Sequence, residues 1–416
     1  MSATARAALV AGVATAAACA WTSRKAERAS SPPVRVGLEA IESRRGGPLR
    51  GRRLGLVVHA ASVTADGRHA IDVLRGQGLN VVRLFTPEHG LRGVAAAGEK
   101  VAGGVDERTG LPVVSLYGEK TQPTVEDLRG LDALVFDLQD AGVRFYTYIS
   151  TLILCLDAAA DAGLELVVLD RPNPQGGERI EGPLADPRDV VPASLVNTAP
   201  GPLVHGLTAG EMARFVNARR QRKARVTVIP MTGWRRSMTW SDTGRPWVNP
   251  SPNLRSAEAA LAYPGVALLE ATSVSEGRGT EAPFLLLGAP WLDAAAVVAE
   301  ASVPGFALEP ARFTPRASSA AGRPKYDGQP CSGLRVRVTD ARAPRPYTLG
   351  VALLHALRRQ PGFSWTPGRP DHLDWLVGTR KLRRALERGD SVETIVARDA
   401  ADIEAFRDER RSALLY

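Results

Sequence analysis

The stretch NVVRLFTPEHG (residues 80–90) joins an apolar run to a polar ending. The run predicts a buried β-strand, and Glu88 and His89 follow where that strand opens into a loop. Similar Val- and Leu-rich runs, with helical patterns between them, occur at residues 54–59, 113–117, 133–138, 165–170 and 225–230. Apolar strands separated by helices are typical of a parallel sheet covered on both faces. The sequence therefore predicts a doubly wound α/β domain.

Two local signals refine this prediction. Thr208 and Glu211 have the spacing of a capping box, which predicts a helix from Thr208 to about Arg220. Helical patterns predict two earlier helices, at Val125–Leu128 and Ser150–Ala162. No G-x-G-x-x-G motif follows the first strand and no P-loop is present, so neither a dinucleotide nor an NTP is expected.

From about Gly233 the pattern changes to Trp- and Pro-rich loops, a strand at residues 334–340 and an amphipathic helix at residues 347–360. This part predicts a smaller α+β auxiliary domain.

The N-terminus predicts an export signal. Arg6 precedes an Ala-rich apolar run of about 13 residues, which is short for a membrane span but typical of a signal peptide. Ala18-Cys19-Ala20 fits an ordinary signal peptidase site, whereas residues 16–19 resemble a lipobox that would lipidate Cys19. Either alternative places the mature protein outside the cytoplasm, in the periplasm or anchored to a membrane. We divide the chain into a leader (1–20), a linker (21–35), a doubly wound first domain (36–232) and an auxiliary domain (233–416).

Composition narrows the class of partner. The 416 residues are 44% hydrophobic and 23% charged, as in ordinary globular proteins, and the net charge is +9. The arginines that carry most of this charge are spread along the chain without a basic block, so nucleic-acid binding is not expected. An acidic carbohydrate would suit a basic surface. The three cysteines exclude a disulfide scaffold, and with no Cys/His cluster at zinc spacing we expect neither a metal nor a cofactor.

Four polar clusters fall at predicted strand ends or loops. Because the carboxyl ends of the strands in a doubly wound sheet share one edge, the first three should meet in one crevice, which the fourth reaches from the auxiliary domain. The clusters lie at residues 88–100, 137–148, 170–174 and 275–280.

These clusters offer carboxylates, arginines, tyrosines and amides, but no G-x-S-x-G nucleophile motif. Glycoside hydrolysis uses such groups: one carboxylic acid protonates the leaving oxygen, and a second carboxylate activates water or attacks the anomeric carbon. Arg144 or Arg278 could hold a substrate carboxylate by a bidentate pair. Structural roles remain open for the same residues, since strand-end acids cap helices and tyrosines fill cores.

Several long motifs resemble the family long called DUF1343, whose characterised members are exo-acting β-N-acetylmuramidases of the NamZ type. The resemblance runs from about Val36 to the C-terminus. It implies a Rossmann-like domain with an auxiliary domain, an active site between them, and removal of terminal N-acetylmuramic acid from non-reducing ends of peptidoglycan fragments. The motifs are SLYGE (115–119), DLQDAGVRFYTYISTL (137–152), LDRPNP with EGP (169–183), PWVNPSPN (246–253) and SVSEGRGT (273–280).

The resemblance also suggests roles for residues. Glu88 is the first choice for general acid, Glu99 is the second carboxylate, and His89 orients Glu88 or touches the sugar. Glu276 is a rival for a catalytic role. The residues expected to bind the substrate are Arg92, Asp137, Gln139, Arg144, Tyr146, Tyr148, Asn173, Glu276 and Arg278.

One segment departs from the family pattern. Where members often carry an Asn-His/Gln-Thr stretch after the first strand, this chain has residues 58–62, VHAAS. The lost polar groups predict altered sugar preference or reduced activity if that loop touches substrate. Two other functions stay open: an exported muropeptide- or saccharide-binding protein without turnover, and an amide or ester hydrolase with a carboxylate-bound metal.

Overall fold

The computed structural model describes residues 33–186, 188–189 and 194–416. The predicted leader with Cys19, and the predicted linker as far as residue 32, lie outside these residues. Among the helices of the described part, none combines the length and apolar character that a bilayer crossing requires.

A seven-stranded sheet forms the centre of the first domain, in the order β3-β4-β2-β1-β5-β6-β9. All its neighbouring strands are parallel except β3, which runs antiparallel to β4. Counting only the parallel strands along the chain, the order is 3-2-1-4-5-6, which is the order of a Rossmann-like sheet. The strands are β1 (Arg53–Val57), β2 (Asn80–Thr86), β3 (Gly104–Val105), β4 (Pro112–Ser115), β5 (Ala133–Phe136), β6 (Glu165–Leu169) and β9 (Arg225–Ile229).

Alternate residues of these strands pack into separate cores on the two faces of the sheet. In β2, Leu84 belongs to one core and Phe85 to the other, and Val135 and Phe136 divide in the same way in β5. Helices cover both faces, which confirms the predicted doubly wound α/β fold. They are α1 (Gly37–Ser43), α2 (Ala70–Gly76), α3 (Val125–Leu128), α4 (Thr147–Asp161) and α5 (Ala209–Arg219).

Two helix starts bear on the site. Helix α5 begins as predicted, with the Thr208 hydroxyl accepting from the Glu211 N–H and the Glu211 carboxylate accepting from the Thr208 N–H. Helix α4 begins at Thr147, three residues before the predicted start at Ser150, so the prediction was wrong there. The earlier start places Thr147 in the first turn of the helix, at the sheet edge where the predicted clusters meet.

The auxiliary domain is α+β, as predicted. Its three-stranded antiparallel sheet has the order β10-β12-β11, with β10 (Leu286–Ala289), β11 (Phe306–Phe313) and β12 (Cys331–Val338). The helices of this domain are α6 (Ala257–Val266), α7 (Ala294–Glu300), α8 (Pro346–Leu357), α9 (His372–Val377), α10 (Lys381–Arg388), α11 (Val392–Ala397) and α12 (Ala400–Glu409). In the first domain, a separate hairpin pairs β7 (Glu181–Leu184) with β8 (Pro202–Val204). Along the described chain, 3-10 turns occur at Gly47–Leu49, Ser241–Thr243, Ala267–Ala271 and Arg411–Ala413.

The two domains share a hydrophobic core. The residues buried around α4 and α5 continue without a break into α6, α8 and α9. Helices α6 and α8 cross so closely that a Cβ on Gly265 would lie 2.1 Å from the carbonyl oxygen of Pro346. Only glycine permits that approach. That crossing tightens the auxiliary domain itself, whereas the continuous core fixes this domain against the first one at the carboxyl edge of the large sheet, where the predicted polar clusters end.

Candidate active site

A cavity of about 230 Å³ lies between the two domains. Its first-domain wall includes Glu88 and His89, and its auxiliary-domain wall includes Glu270 and Arg278. A larger cavity of about 530 Å³, bordered by residues 174–181, 236–239 and 341–345, has no residue in common with it. We take the smaller cavity as the candidate site because Glu88 and His89, which follow β2 at the carboxyl edge of the large sheet, lie on its wall. The other lining residues are Ala97, Gly98, Tyr117, Phe145, Tyr146, Thr147, Val196, Ser251, Tyr263, Ala267, Phe284, Trp375 and Leu376.

Glu88 is held by two groups of different character. Its Oε1 accepts from the Gly98 N–H at 2.8 Å, and its Oε2 lies 2.8 Å from the Thr147 hydroxyl. The amide can only donate, which makes Oε1 an acceptor, whereas a hydroxyl can donate or accept. Oε2 is therefore the oxygen that can carry a proton. With 8% of the residue exposed, the carboxyl is shielded from bulk water but borders the cavity.

His89 adopts a left-handed backbone conformation, with φ of 71°. Its Nδ1 lies 2.8 Å from the carbonyl oxygen of Ala95, and a carbonyl can only accept, so Nδ1 carries a hydrogen. Burial lowers the pKa of His89 even though Glu88 acts in the opposite direction. The ring is therefore neutral near pH 7, and its Nε2 is an acceptor on a residue that lines the cavity.

Aromatic rings form one side of the cavity. Tyr263 packs edge-to-face against Phe145 at 5.3 Å and against Phe284 at 4.7 Å between ring centroids. Tyr146 meets Tyr263 at 6.0 Å, and Trp375 of α9 also lines the cavity. Such rings offer rigid apolar surface for the C–H faces of a small ligand.

Glu270 and Arg278 belong to a chain of charges on the auxiliary side. The Arg278 guanidinium lies 2.7 Å from Glu270 and 3.2 Å from Glu276, and Lys325 Nζ lies 3.0 Å from Glu276. Burial alone would raise the pKa of Glu276, but Lys325 and Arg278 outweigh it and hold that pKa below its ordinary value. Two cations thus face two carboxylates, and the charge of Arg278 is already compensated.

The structure brings four of the predicted site residues to the cavity wall: Glu88, His89, Tyr146 and Arg278. Glu276 stands behind Arg278, and the Tyr148 hydroxyl lies 3.1 Å from the Glu88 carbonyl and 2.8 Å from that of Pro250. Glu99 is exposed and accepts from the Ala96 N–H in its own turn.

Five further predicted residues do not line the cavity. Arg92 is largely exposed and pairs with Asp106 at 2.8 Å. Asp137 forms a buried bidentate pair with Arg171 at 2.6 and 2.8 Å. The other three side chains form hydrogen bonds with backbone groups. Gln139 donates to the carbonyls of Asp140 and Pro172, and Asn173 contacts the backbone of Leu207 and Gln175. Arg144 donates to the carbonyls of Pro183, Gly201 and Val377. The polar groups of these side chains hold loops in place.

The divergent loop at residues 58–62 lies beneath the site. The His59 ring is fully buried, accepts from the Gln139 N–H at Nε2 and packs edge-to-face on Tyr148. The Ser62 hydroxyl accepts from the His59 N–H and donates to the Asp137 carbonyl. This loop supports the strand ends and does not contribute to the cavity wall.

Sequence reasoning assigned no role to several residues of the wall. Tyr117, Thr147 and Ser251 lie inside motifs that resemble the family, and those motifs could have pointed to them as site residues. Tyr263 and Glu270 fall in an apolar helical stretch that gives no sign of a site. Among the described residues, His, Cys, Asp and Glu side chains do not gather in threes as a metal site would require.

Comparison with known proteins fits this geometry. The family model for the N-terminal part of the exo-β-N-acetylmuramidase NamZ matches residues 54–258, and the model for its C-terminal part matches residues 261–416. The chain belongs to the NamZ family. This confirms the resemblance found in the sequence, and the cavity takes its walls from both matched parts.

Individual relatives also support the membership of this chain in the NamZ family. The peptidoglycan β-N-acetylmuramidase NamZ of Bacillus subtilis (strain 168) is 37% identical over 404 residues, which cover 96% of this chain and 95% of the relative. Two crystal structures of DUF1343 family proteins from Bacteroides fragilis NCTC 9343 have TM-scores of 0.83 and 0.74. They are 29% and 30% identical, and the matches cover 93% and 92% of this chain and 100% and 99% of theirs.

Proposed function

We propose that this protein is an exo-acting β-N-acetylmuramidase, a glycoside hydrolase that releases terminal N-acetylmuramic acid from the non-reducing ends of peptidoglycan fragments. The observation that carries the proposal is the Glu88 carboxyl on the wall of a cavity closed by both domains. Membership of the NamZ family and the name of the Bacillus subtilis relative support this substrate. The protein would act in turnover of the cell wall.

The size of the cavity suits exo-action. At about 230 Å³ it is smaller than the roughly 300–1,000 Å³ of pockets that hold drug-sized ligands. One sugar residue fits such a space, whereas a glycan chain passing through would need an open groove. The aromatic wall would pack on the apolar face of that sugar.

Glu88 is placed to act as the general acid. Its Oε2 can carry the proton, and that proton would pass to the glycosidic oxygen as the bond to the anomeric carbon breaks. The electron pair of the broken bond stays on the leaving oxygen, which becomes the new hydroxyl. Positive charge then develops at the sugar ring, beside the Glu88 carboxylate.

Replacement of one oxygen tests this role. Glu88→Gln keeps the size of the side chain but cannot deliver the proton, so release of N-acetylmuramic acid should fall by roughly a hundredfold or more. The assay uses the full chain with a chromogenic β-N-acetylmuramide, and the matching β-N-acetylglucosaminide as substrate control. Unchanged turnover in Glu88→Gln would reject Glu88 as the acid. Binding of the muramide without any release by the wild-type protein would reject the enzyme and favour a saccharide-binding protein.

We further propose that the protein is exported, as a periplasmic protein or through a lipidated Cys19. The motivation is the Arg6-containing, Ala-rich leader in the sequence, together with a substrate that lies in the wall. Mass spectrometry of the mature protein from fractionated cells should find a new N-terminus at or just after Cys19. A full-length chain that begins at Met1 in the cytosolic fraction would contradict export.

A further inference from the structure

Glycoside hydrolysis uses a second carboxylate besides the acid. We propose that Glu270, and not Glu99, is this second carboxylate, and that it takes the proton of the attacking water. The inference rests on the proposed function and adds a catalytic residue to it. Glu270 lines the same cavity as Glu88 but comes from the other domain, whereas Glu99 is exposed outside the cavity wall.

The backbone under Glu270 is fixed. Glu270 lies in the 3-10 turn Ala267–Ala271, which continues directly from α6. Lys325 Nζ donates to the Leu269 carbonyl at 2.8 Å, and the Thr366 hydroxyl donates to the Glu270 carbonyl at 3.2 Å. A side chain on such a support keeps its direction when substrate enters, as a catalytic group must.

Arg278 fixes the orientation of Glu270. Its guanidinium donates to Glu270 Oε1 at 2.7 Å, and a guanidinium has no acceptor for a carboxylic acid proton. Burial would lower the pKa of Arg278, but Glu270 and Glu276 outweigh it and raise that pKa, so the cation persists. The Glu270 side chain remains 25% exposed, so it can contact a water in the cavity.

Tyr263 links the two carboxylates in space. After burial, Glu270 is the strongest influence that raises the pKa of this buried tyrosine, and Glu88 raises it as well. One phenol therefore lies within electrostatic reach of both groups. Its ring also lines the cavity, so Glu88 and Glu270 face a common space.

The two environments divide the chemistry between the carboxyls. The Thr147 hydroxyl permits a proton on Glu88, while Arg278 offers Glu270 only donors. In the step, Glu88 gives its proton to the glycosidic oxygen, and that oxygen keeps the electron pair of the broken bond. The water oxygen bonds to the anomeric carbon and its proton passes to Glu270. One water is consumed, the anomeric centre inverts, and proton exchange with solvent restores both groups.

Matched variants of the full chain test the assignment. Glu270→Gln should lower turnover of the β-N-acetylmuramide by about a hundredfold or more, while affinity for the muramide stays within a few-fold. Glu99→Gln, the control, should retain wild-type turnover. Glu270→Asp keeps a carboxylate but moves it away from the water, because the aspartate side chain is shorter. Its turnover should lie between those of Glu270→Gln and Glu99→Gln. With Glu270→Ala, azide should restore release of the aglycone and yield the α-glycosyl azide, because azide needs no base.

Failure of the Glu270 assignment and failure of the proposed function give different results. Wild-type turnover with a fully active Glu270→Gln would overturn this inference and leave the proposed function standing. Loss of activity in Glu99→Gln but not in Glu270→Gln would also overturn the assignment of Glu270 and leave the proposed function standing. Nuclear magnetic resonance of the first product should show the α-anomer, and the β-anomer would overturn the role of Glu270 toward water. A wild-type protein that releases no sugar would overturn the function and the inference together.

Discussion

Asp140 is a buried carboxyl close behind the tyrosines of the site. Its Oδ2 accepts from the Gly142 N–H at 2.7 Å and lies 4.0 Å from Nε2 of the buried His205. Burial raises the pKa of Asp140 to about 7 and lowers that of His205 to about 3. Although the two groups lie at ion-pair distance, His205 is therefore uncharged at neutral pH, and Asp140 is uncharged below pH 7 and about half ionised at pH 7. The Leu207 N–H donates to His205 Nδ1, which leaves the ring hydrogen on Nε2.

The raised pKa predicts how Asp140 affects stability with pH. Between about pH 4 and 7 the unfolded chain loses this proton while the folded chain keeps it, so stability falls as pH rises through that window. Asp140→Asn removes the effect. Relative to wild type, the variant should gain on the order of 3 kcal/mol in free energy of unfolding between pH 4 and pH 8. Urea denaturation at the two pH values measures this difference.

The control for this measurement titrates outside the window. Arg53 holds the pKa of the exposed Asp132 down to about 2, so the stability that Asp132 contributes is gained mostly below pH 4, and Asp132→Asn should differ from wild type by nearly the same amount at pH 4 and pH 8. A constant difference between Asp140→Asn and wild type at both pH values would contradict a protonated Asp140 in the folded state.

At the scale of elements, hydrophobic periodicity was a sufficient guide to the six parallel strands of the large sheet, but the two-residue edge strand β3 was not predicted. The runs at residues 80–85 and 133–136 alternate between two cores, and burial on both faces produced the continuous apolar pattern that was recognised. The start of α5 was predictable because Thr208 and Glu211 mark it. The start of α4 was misplaced because Tyr146, at its N-cap, makes no side-chain cap. A helix without a capping residue gives no local signal of where it begins.

The direction of a side chain at a strand end is harder to predict. Asp137 and Asp170 follow parallel strands, as catalytic acids do, yet Asp137 pairs with Arg171 and Asp170 receives the Thr208 hydroxyl and the Gly210 N–H. Buried loops must satisfy their own polar groups, and these carboxylates do so. Glu270 shows the reverse case, because only tertiary packing brings an acid in an apolar stretch to the cavity.

At the scale of the molecule, Arg144 connects the parts that enclose the site. It is fully buried, and its guanidinium donates to the carbonyls of Pro183 in β7, Gly201 before β8 and Val377 at the end of α9. Burial lowers the pKa of Arg144 to about 10. Helix α9 also carries Trp375 and Leu376 to the cavity wall, so Arg144 holds that wall without touching the cavity.

Removal of this connection should weaken both the fold and the site. Arg144→Met keeps much of the side-chain volume but leaves three buried carbonyls without their donor, each worth about 1–3 kcal/mol. We expect the free energy of unfolding to fall by on the order of 3 kcal/mol or more, and KM for the muramide to rise more than kcat falls, because Glu88 and Glu270 stay in place. Urea denaturation and steady-state kinetics measure the two effects. Arg337→Met is the control, since this exposed arginine pairs with the exposed Glu309 and should cost about 1 kcal/mol or less. Equal stability of the two variants would mean that the shared hydrophobic core, and not Arg144, holds the two domains closed over the cavity.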